Sequence, residues 1–412
     1  MTLAIRVLLG LAAGFLLGLA LAGSSSPAAA MTIGILAPVG TIFVNLIRMT
    51  VIPLVVSMLV ASVGGMTVAG LGRTGVRALL MSVGLLVTAA IGSVLIATPV
   101  LARIRIDQAA ALALRGPLEG ASQAAVAPSG APALAQWFVD LVPQNVVKAA
   151  ADGAMLPVIV FAVMLGLALT RVTAAKREAV LRVADGFAEA MQRLVGWILG
   201  LAPIGVFALA VPLASRLGLS AAAAVVAYVV LVVVLTVVAI AVLLYPIGIL
   251  AGPMSTAGFV AYCAPAQAIA FASRSSLAAL PVMVESAERA RLPPAASRVV
   301  LPLTLSVFHF GAAVGQTVGV MFLARLFDVT LTPPQLASVV LAVVFVSFAV
   351  PGIPGGSVIV MVPVLAAAHL PIEGLGILLA VDIIPDMFRT TANVTGALTL
   401  AAVLSPPPSS LK

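Results

Sequence analysis

Near the end of the chain, residues 382–396 read Asp382-Ile-Ile-Pro-Asp386-Met-Phe-Arg389-Thr390-Thr-Ala-Asn393-Val-Thr-Gly396, within sequence that is otherwise apolar. On a helix turning 100° per residue, Asp382, Asp386, Arg389, Thr390 and Asn393 fall within an arc of roughly 100°. At mid-membrane, two acids and an arginine facing lipid would cost about 2.5–3.5 kcal/mol each, roughly 9 kcal/mol together. The arc must therefore face protein, water or ligand. An internal ion pair that fixes helix packing is the plain alternative. The mixture of charges favours a ligand, because a guanidinium forks onto a carboxylate while a carboxylate accepts hydrogen bonds from an ammonium. One face thus complements both ends of an acidic amino acid.

The rest of the chain makes this a membrane helix. Of 412 residues, 63% are hydrophobic and 8% charged, against about 25% charged in a soluble domain. That composition excludes a water-soluble fold, and it excludes disorder, which requires few apolar residues. At about 20 residues per span, the apolar stretches suffice for roughly eight to ten. Runs rich in Ala, Leu and Val without period-2 alternation predict helices throughout. The lone Cys263 allows no intrachain disulfide and no cysteine-based zinc cage. The net charge of +8 reads as cytoplasmic loops, and no basic run interleaved with aromatics points to nucleic acid. No cofactor or metal site is expected.

Working back from residue 382, candidate spans are 2–22, 36–66, 76–101, 143–170, 192–216 and 220–251. The first reads better as a span than as a signal peptide, since its apolar run is long. The 71–78 turn carries Arg73 and Arg77, and 171–193 carries Arg171, Lys176, Arg177, Arg182 and Arg193. Both should be cytoplasmic, as should both termini, whereas the uncharged linker 23–35 and the loop 102–140 suit the outer side. Beyond residue 252 two segments, 253–293 and 333–371, carry breaker-rich centres at Ser273-Arg274-Ser275-Ser276 and Val350-Pro351-Gly352-Ile353-Pro354-Gly355-Gly356-Ser357. Their apolar arms, about 12–16 residues, are too short to span alone, so helical hairpins entering and leaving on one side fit better. Longer apolar segments follow each, 296–327 and 372–404. Hairpin, span, hairpin, span points to a carrier with inverted repeats.

These residues carry a family resemblance. DMFRTTANVTG at 386–396 resembles the signature of the dicarboxylate/amino-acid:cation symporters, which include archaeal aspartate transporters, bacterial glutamate carriers and excitatory amino acid transporters. RMTVIPLVVSMLV at 48–60, PQNVVKAAADGAMLPVIVFAVMLGLAL at 143–169 and LAPIGVFAL at 201–209 are similar to further family segments. SRSSLAALPV at 273–282 and VPGIPGG at 350–356 resemble the two hairpin tips. The resemblance implies an all-α polytopic membrane protein: eight transmembrane helices, two re-entrant hairpins, inverted repeats and an elevator mechanism. It implies scaffold spans in 1–70 and 102–216, the latter with the outer loop, that form a homotrimer in the cell inner membrane. It implies a moving body made of span 3 (71–101), span 6 (217–251), hairpin 1 (252–293), span 7 (294–328), hairpin 2 as gate (329–371), and span 8 with the tail (372–412). By position, Arg389 would bind the substrate side-chain carboxylate and Asp386 the amino group. Thr390 and Asn393 would complete the pocket, with Ser275, Ser276, Gly352, Ile353, Pro354 and Gly355 supplying hairpin contacts. Arg274 would balance the nearby acids.

The comparison fails at the cation sites. The family's N-M-D-G-T motif falls on Phe308, His309, Phe310, Gly311 and Ala312, and its sodium-binding aspartate after N-V-T-G falls on Ala397. A Thr-Ser pair of another sodium site falls near Leu85 and Leu86. Sodium wants oxygen ligands, and phenyl rings cannot replace its hydration shell. The expectation is an acidic amino-acid carrier independent of sodium, either proton-coupled or exchanging. His309, of a type that titrates near neutrality, and Asp382 are the candidate proton carriers. A histidine simply bonded to backbone is the alternative. Gln316 stands where some proton-coupled relatives have glutamate. Pro385 should kink the helix just before Asp386. Other readings are a C4-dicarboxylate carrier and a non-transporting or channel-like paralogue. An enzyme is not expected, since no H-E-x-x-H or G-x-S-x-G occurs.

Overall fold

A computed structural model describes residues 3–24, 26–65, 68–103, 139–217, 219–352 and 354–405. The outer loop over 104–138, the tail beyond 405 and the hairpin residue Ile353 lie outside these described residues. Every regular element among them is helical, in line with the apolar runs. The first seven helices are α1 Leu3–Leu21, α2 Pro27–Gly65, α3 Val68–Ala102, α4 Val146–Ala151, α5 Met155–Leu169, α6 Ala174–Gly200 and α7 Ala202–Leu217. Then come α8 Leu219–Ala239, α9 Tyr245–Ala251, α10 Thr256–Ser273, α11 Ser276–Arg289, α12 Leu301–Val307 and α13 Phe310–Leu326. The chain ends with α14 Pro333–Ser347, α15 Gly356–Ile359, α16 Val362–Ala367, α17 Gly374–Val381 and α18 Ile383–Val403.

Local chemistry moves several expected boundaries. Residues 23–35, read as a linker, are helical from Pro27 because Ser26 Oγ accepts from Ala29 N at 3.2 Å and Pro27 fits the first helical turn. The expected span 143–170 is two helices, α4 and α5, parted at Gly153 (φ +70°). Asn145 Oδ1 caps α4, accepting from Val147 N at 2.9 Å and Lys148 N at 3.0 Å. The arginine-bearing segments near 71–78 and 171–193 lie within α3 and, from Ala174, within α6, not in loops. Among the described residues, four stretches are long and apolar enough to cross a membrane: Pro27–Gly65, Thr74–Ala102, Ala223–Ala251 and Leu301–Leu326. The bent pair Ala174–Gly200 and Ala202–Ser215, at 58°, would make a fifth. Fewer qualify than the eight expected because helices such as α5 are short and α18 carries charges in its first turns.

Two sets of packed helices emerge. α1 lies along α7, where glycines at four-residue spacing let the backbones meet; a methyl at Gly14 would sit 2.7 Å from Phe207 O. α2 packs on α5, α6 and α7. Elsewhere α18 is wrapped by α8, α10, α11, α12 and α13, with α3 laid against α13 and α14. α10 and α11 form one helical hairpin and α14 with α16 a second. The hairpin tips meet, since Ser275 Oγ donates to Gly352 O at 2.8 Å. The expected continuous span 296–327 is interrupted at Phe308 and His309, which leave helical geometry between α12 and α13.

Candidate functional site: a closed cavity around a buried arginine

Arg389 is the organising residue. Only 2% exposed, it has its Nη2 2.5 Å from Asp382 Oδ1 and 3.2 Å from Asp386 Oδ1. Sequence places Asp382 and Asp386 on one helix, but the structure starts that helix after Asp382. Pro385 has no N–H to offer Val381 O and its ring crowds that carbonyl, so the helix breaks upstream of the expected kink. Asp382, between α17 and α18, keeps helical backbone angles and stays on the guanidinium's face. Asp386 stays in α18, where its Oδ2 accepts from Gly355 N at 3.0 Å. Gly355 reaches it with φ +75°, a left-handed conformation that disfavours a side chain.

Arg274, Ser276, His309, Gly352, Ser357, Asp386, Arg389, Thr390 and Asn393, with Val350 and Pro351, line a cavity with about 20 Å³ of free space. That is room for about one water. An arginine almost wholly buried between its own carboxylates lies beside two touching hairpin tips.

The residues singled out by sequence divide accordingly. Arg389, Asp386, Thr390, Asn393, Ser276 and Gly352 come together at the cavity. Asp382 joins through Arg389. Ser275 acts at the tip: besides holding Gly352, its Oγ accepts from Ala278 N at 3.3 Å as the cap of α11. Ser275→Ala is therefore expected to cost about 1–2 kcal/mol and speed ligand release, measured by thermal unfolding and dissociation rates. Unchanged release would show the tips held by other contacts. Pro354 corrects an expectation, for it is exposed and does not line the cavity. A proline offers no N–H donor there.

Asn393 does more than line the pocket. Its Oδ1 accepts from Gly311 N at 2.7 Å and Ala312 N at 3.4 Å, satisfying donors left bare where α13 begins. His309 is clamped on the other side: its N donates to Ser347 Oγ at 2.9 Å and its Nδ1 lies 2.8 Å from Ser347 O. Sequence reading missed Ser347, an ordinary serine in an apolar run, and named Ser357 only as the end of the second hairpin's centre. Gln316 is also tied up, donating from Nε2 to Ser357 O at 2.7 Å.

The positions onto which the resemblance places the cation motifs are apolar in space as well as in sequence. Phe308, Phe310, Ala312 and Ala397 are all buried. The rings of Phe308 and Phe310 are 6.1 Å apart, and Phe308 packs so closely on Gly396 that a methyl there would lie 2.4 Å from its Cε1. The aromatic edge thus reaches the residue beside Ala397.

Known proteins resemble this chain over almost its whole length. A family model described as the sodium:dicarboxylate symporter family matches residues 3–406. A proton/glutamate-aspartate symporter of Escherichia coli (strain K12) is 29% identical over 396 residues, covering 96% of this chain and 90% of the relative. A proton/sodium-glutamate symport protein of Bacillus caldotenax is 28% identical over 419 residues, covering 98% and 94%. A C4-dicarboxylate transport protein of Pseudomonas fluorescens (strain SBW25) is 27% identical over 371 residues, covering 88% and 81%.

Proposed function

This chain belongs to the sodium:dicarboxylate symporter family, and on that basis we propose that it carries L-aspartate or L-glutamate across the cell inner membrane without sodium. It is an integral membrane protein of a family of transporters, not enzymes. The observation that carries the substrate reading is Arg389 buried between Asp382 and Asp386 at the wall of a closed cavity. When the second hairpin opens, the guanidinium exchanges a carboxylate of its own chain for one of the substrate, and the released aspartate accepts the substrate ammonium.

Sodium independence rests on the positions where the resemblance puts the cation. Phe308 presses its ring on Gly396 beside Ala397, so hydrocarbon stands where oxygen ligands are needed. The Escherichia coli relative is named for protons alone, the Bacillus caldotenax one for protons and sodium. Asp382 and His309 are the candidate groups for a coupling proton. The two sets of packed helices suit an elevator: α1, α2 and α4–α7 as the trimerising scaffold, and α3, α8–α18 as the body that moves. Both termini are cytoplasmic in this reading.

Labelled L-aspartate uptake into proteoliposomes tests it, with sodium, choline or a proton gradient as the varied condition. Initial rates with sodium and with choline should agree, and a response to the proton gradient separates symport from exchange. Strict sodium dependence would overturn the reading of Phe308, Phe310 and Ala397. Uptake of succinate but not aspartate would favour a C4-dicarboxylate carrier, the activity named for the Pseudomonas fluorescens relative. Saturable binding without uptake would indicate a non-transporting paralogue.

A further inference from the structure

His309 has one ring nitrogen whose partner is missing from its own chain. A carbonyl oxygen only accepts, so the 2.8 Å contact to Ser347 O places the proton on Nδ1. In the neutral ring the lone pair then sits on Nε2, which is buried and has no hydrogen-bond partner among the described residues. The ring cannot readily turn away. His309 N is tied to Ser347 Oγ, and that hydroxyl in turn donates to Val307 O at 3.2 Å. His309 also forms part of the cavity wall, with Asp386, Arg389 and Thr390.

Two more polar atoms of cavity-lining residues are buried without a partner among the described residues, Arg389 Nε and Ser357 Oγ. Buried polar atoms are normally paired, and an unpaired one costs about 1–3 kcal/mol. The guanidinium Nε–H is a donor and calls for an acceptor, as a carboxylate supplies. The histidine lone pair calls for the opposite, a group bringing hydrogen.

We propose that His309 is a substrate-contacting residue whose Nε2 accepts a hydrogen bond from the substrate ammonium. This rests on the reading of the cavity as an acidic-substrate site, and it narrows that reading to amino acids. An ammonium has three N–H groups, and Asp386 and His309, both lining the cavity, are acceptors. A fully ionised dicarboxylate has no hydrogen to give. It would leave Nε2 unpaired and set its own oxygens against the lone pair. The same bond ties substrate to the second hairpin, because His309 is anchored at Ser347, the last residue of α14. With the lone pair engaged by substrate, a coupling proton would fall to Asp382.

The test compares L-aspartate with succinate, its analogue without the amine. The chain has two histidines, so in a His369→Asn background ¹⁵N-histidine NMR reads His309 alone. Asparagine suits the left-handed backbone at His369 (φ +52°). L-Aspartate should move the Nε2 resonance upfield, as a nitrogen lone pair does on accepting a hydrogen bond, and succinate should not. In parallel, His309→Phe should weaken L-aspartate binding roughly 10- to 100-fold, the size of a hydrogen bond to a charged group, while succinate affinity stays within about threefold. An Nε2 signal indifferent to aspartate overturns the proposal, even if the variant does not fold. Equal losses for both ligands overturn it too, because they mark a purely packing role. Wild-type protein that binds neither ligand overturns the acidic-substrate reading itself, and this inference with it.

Discussion

Arg389→Ala is expected to abolish L-aspartate binding and to lower the stability of the protein by about 3–5 kcal/mol. The guanidinium is completely desolvated and its Nη2 is shared by Asp382 and Asp386. Removing it leaves two buried carboxylates with each other for company and a void where the side chain lay. Either acid must then be protonated or reached by water. Arg389→Lys separates charge from geometry: a lysine restores one positive charge but has no planar fork with which to hold a carboxylate. The lysine variant should thus recover most of the stability and little of the binding. Isothermal titration together with thermal unfolding in detergent measures both. Aspartate binding retained in the alanine variant would sink the pocket assignment.

Gly311→Ala is expected to be as damaging, though no chemistry resides at that residue. A methyl group there would lie 2.1 Å from Arg389 O and 2.6 Å from Arg389 Cα, so it meets backbone that cannot rotate aside. α13 would be levered off α18 at the point where Gly311 N donates to Asn393 Oδ1. Overpacking of a close-packed interior typically costs about 1–3 kcal/mol, and contact with backbone puts this case at or above the upper end. Gly84→Ala is the matched control: it lies within α3 with nothing in reach of a new methyl, and should be neutral or slightly stabilising. A Gly311→Ala protein as stable as wild type would mean that α13 and α18 do not approach this closely.

These predictions differ in how far the sequence foresaw them. Arg389 was visible at once, because charge in an apolar chain is conspicuous and its lipid cost forces it inward. The hairpin centres were visible through their prolines, glycines and serines, which interrupt helices wherever they occur. The Gly311 contact was not legible. Nothing in Phe308-His309-Phe310 breaks a helix by itself, and the interruption there is stable because other segments satisfy its bare donors. Asn393 serves Gly311 and Ala312, and Ser347 serves His309.

By itself, then, the sequence determined the all-helical membrane class, the two hairpins and the polar helix with its arginine. Those follow from composition, periodicity and the cost of charge in lipid, which act locally along the chain. Only the tertiary structure decided which partners those residues have. It set the backbone of Gly355 on Asp386, gave Asn393 Oδ1 to the start of α13 as well as a place in the cavity wall, and left Pro354 exposed. It also turned Nδ1 of His309 to Ser347 and so left Nε2 as the unpaired acceptor. Such pairings are chosen by the need to satisfy every buried polar group at once, and that requirement joins residues far apart in sequence.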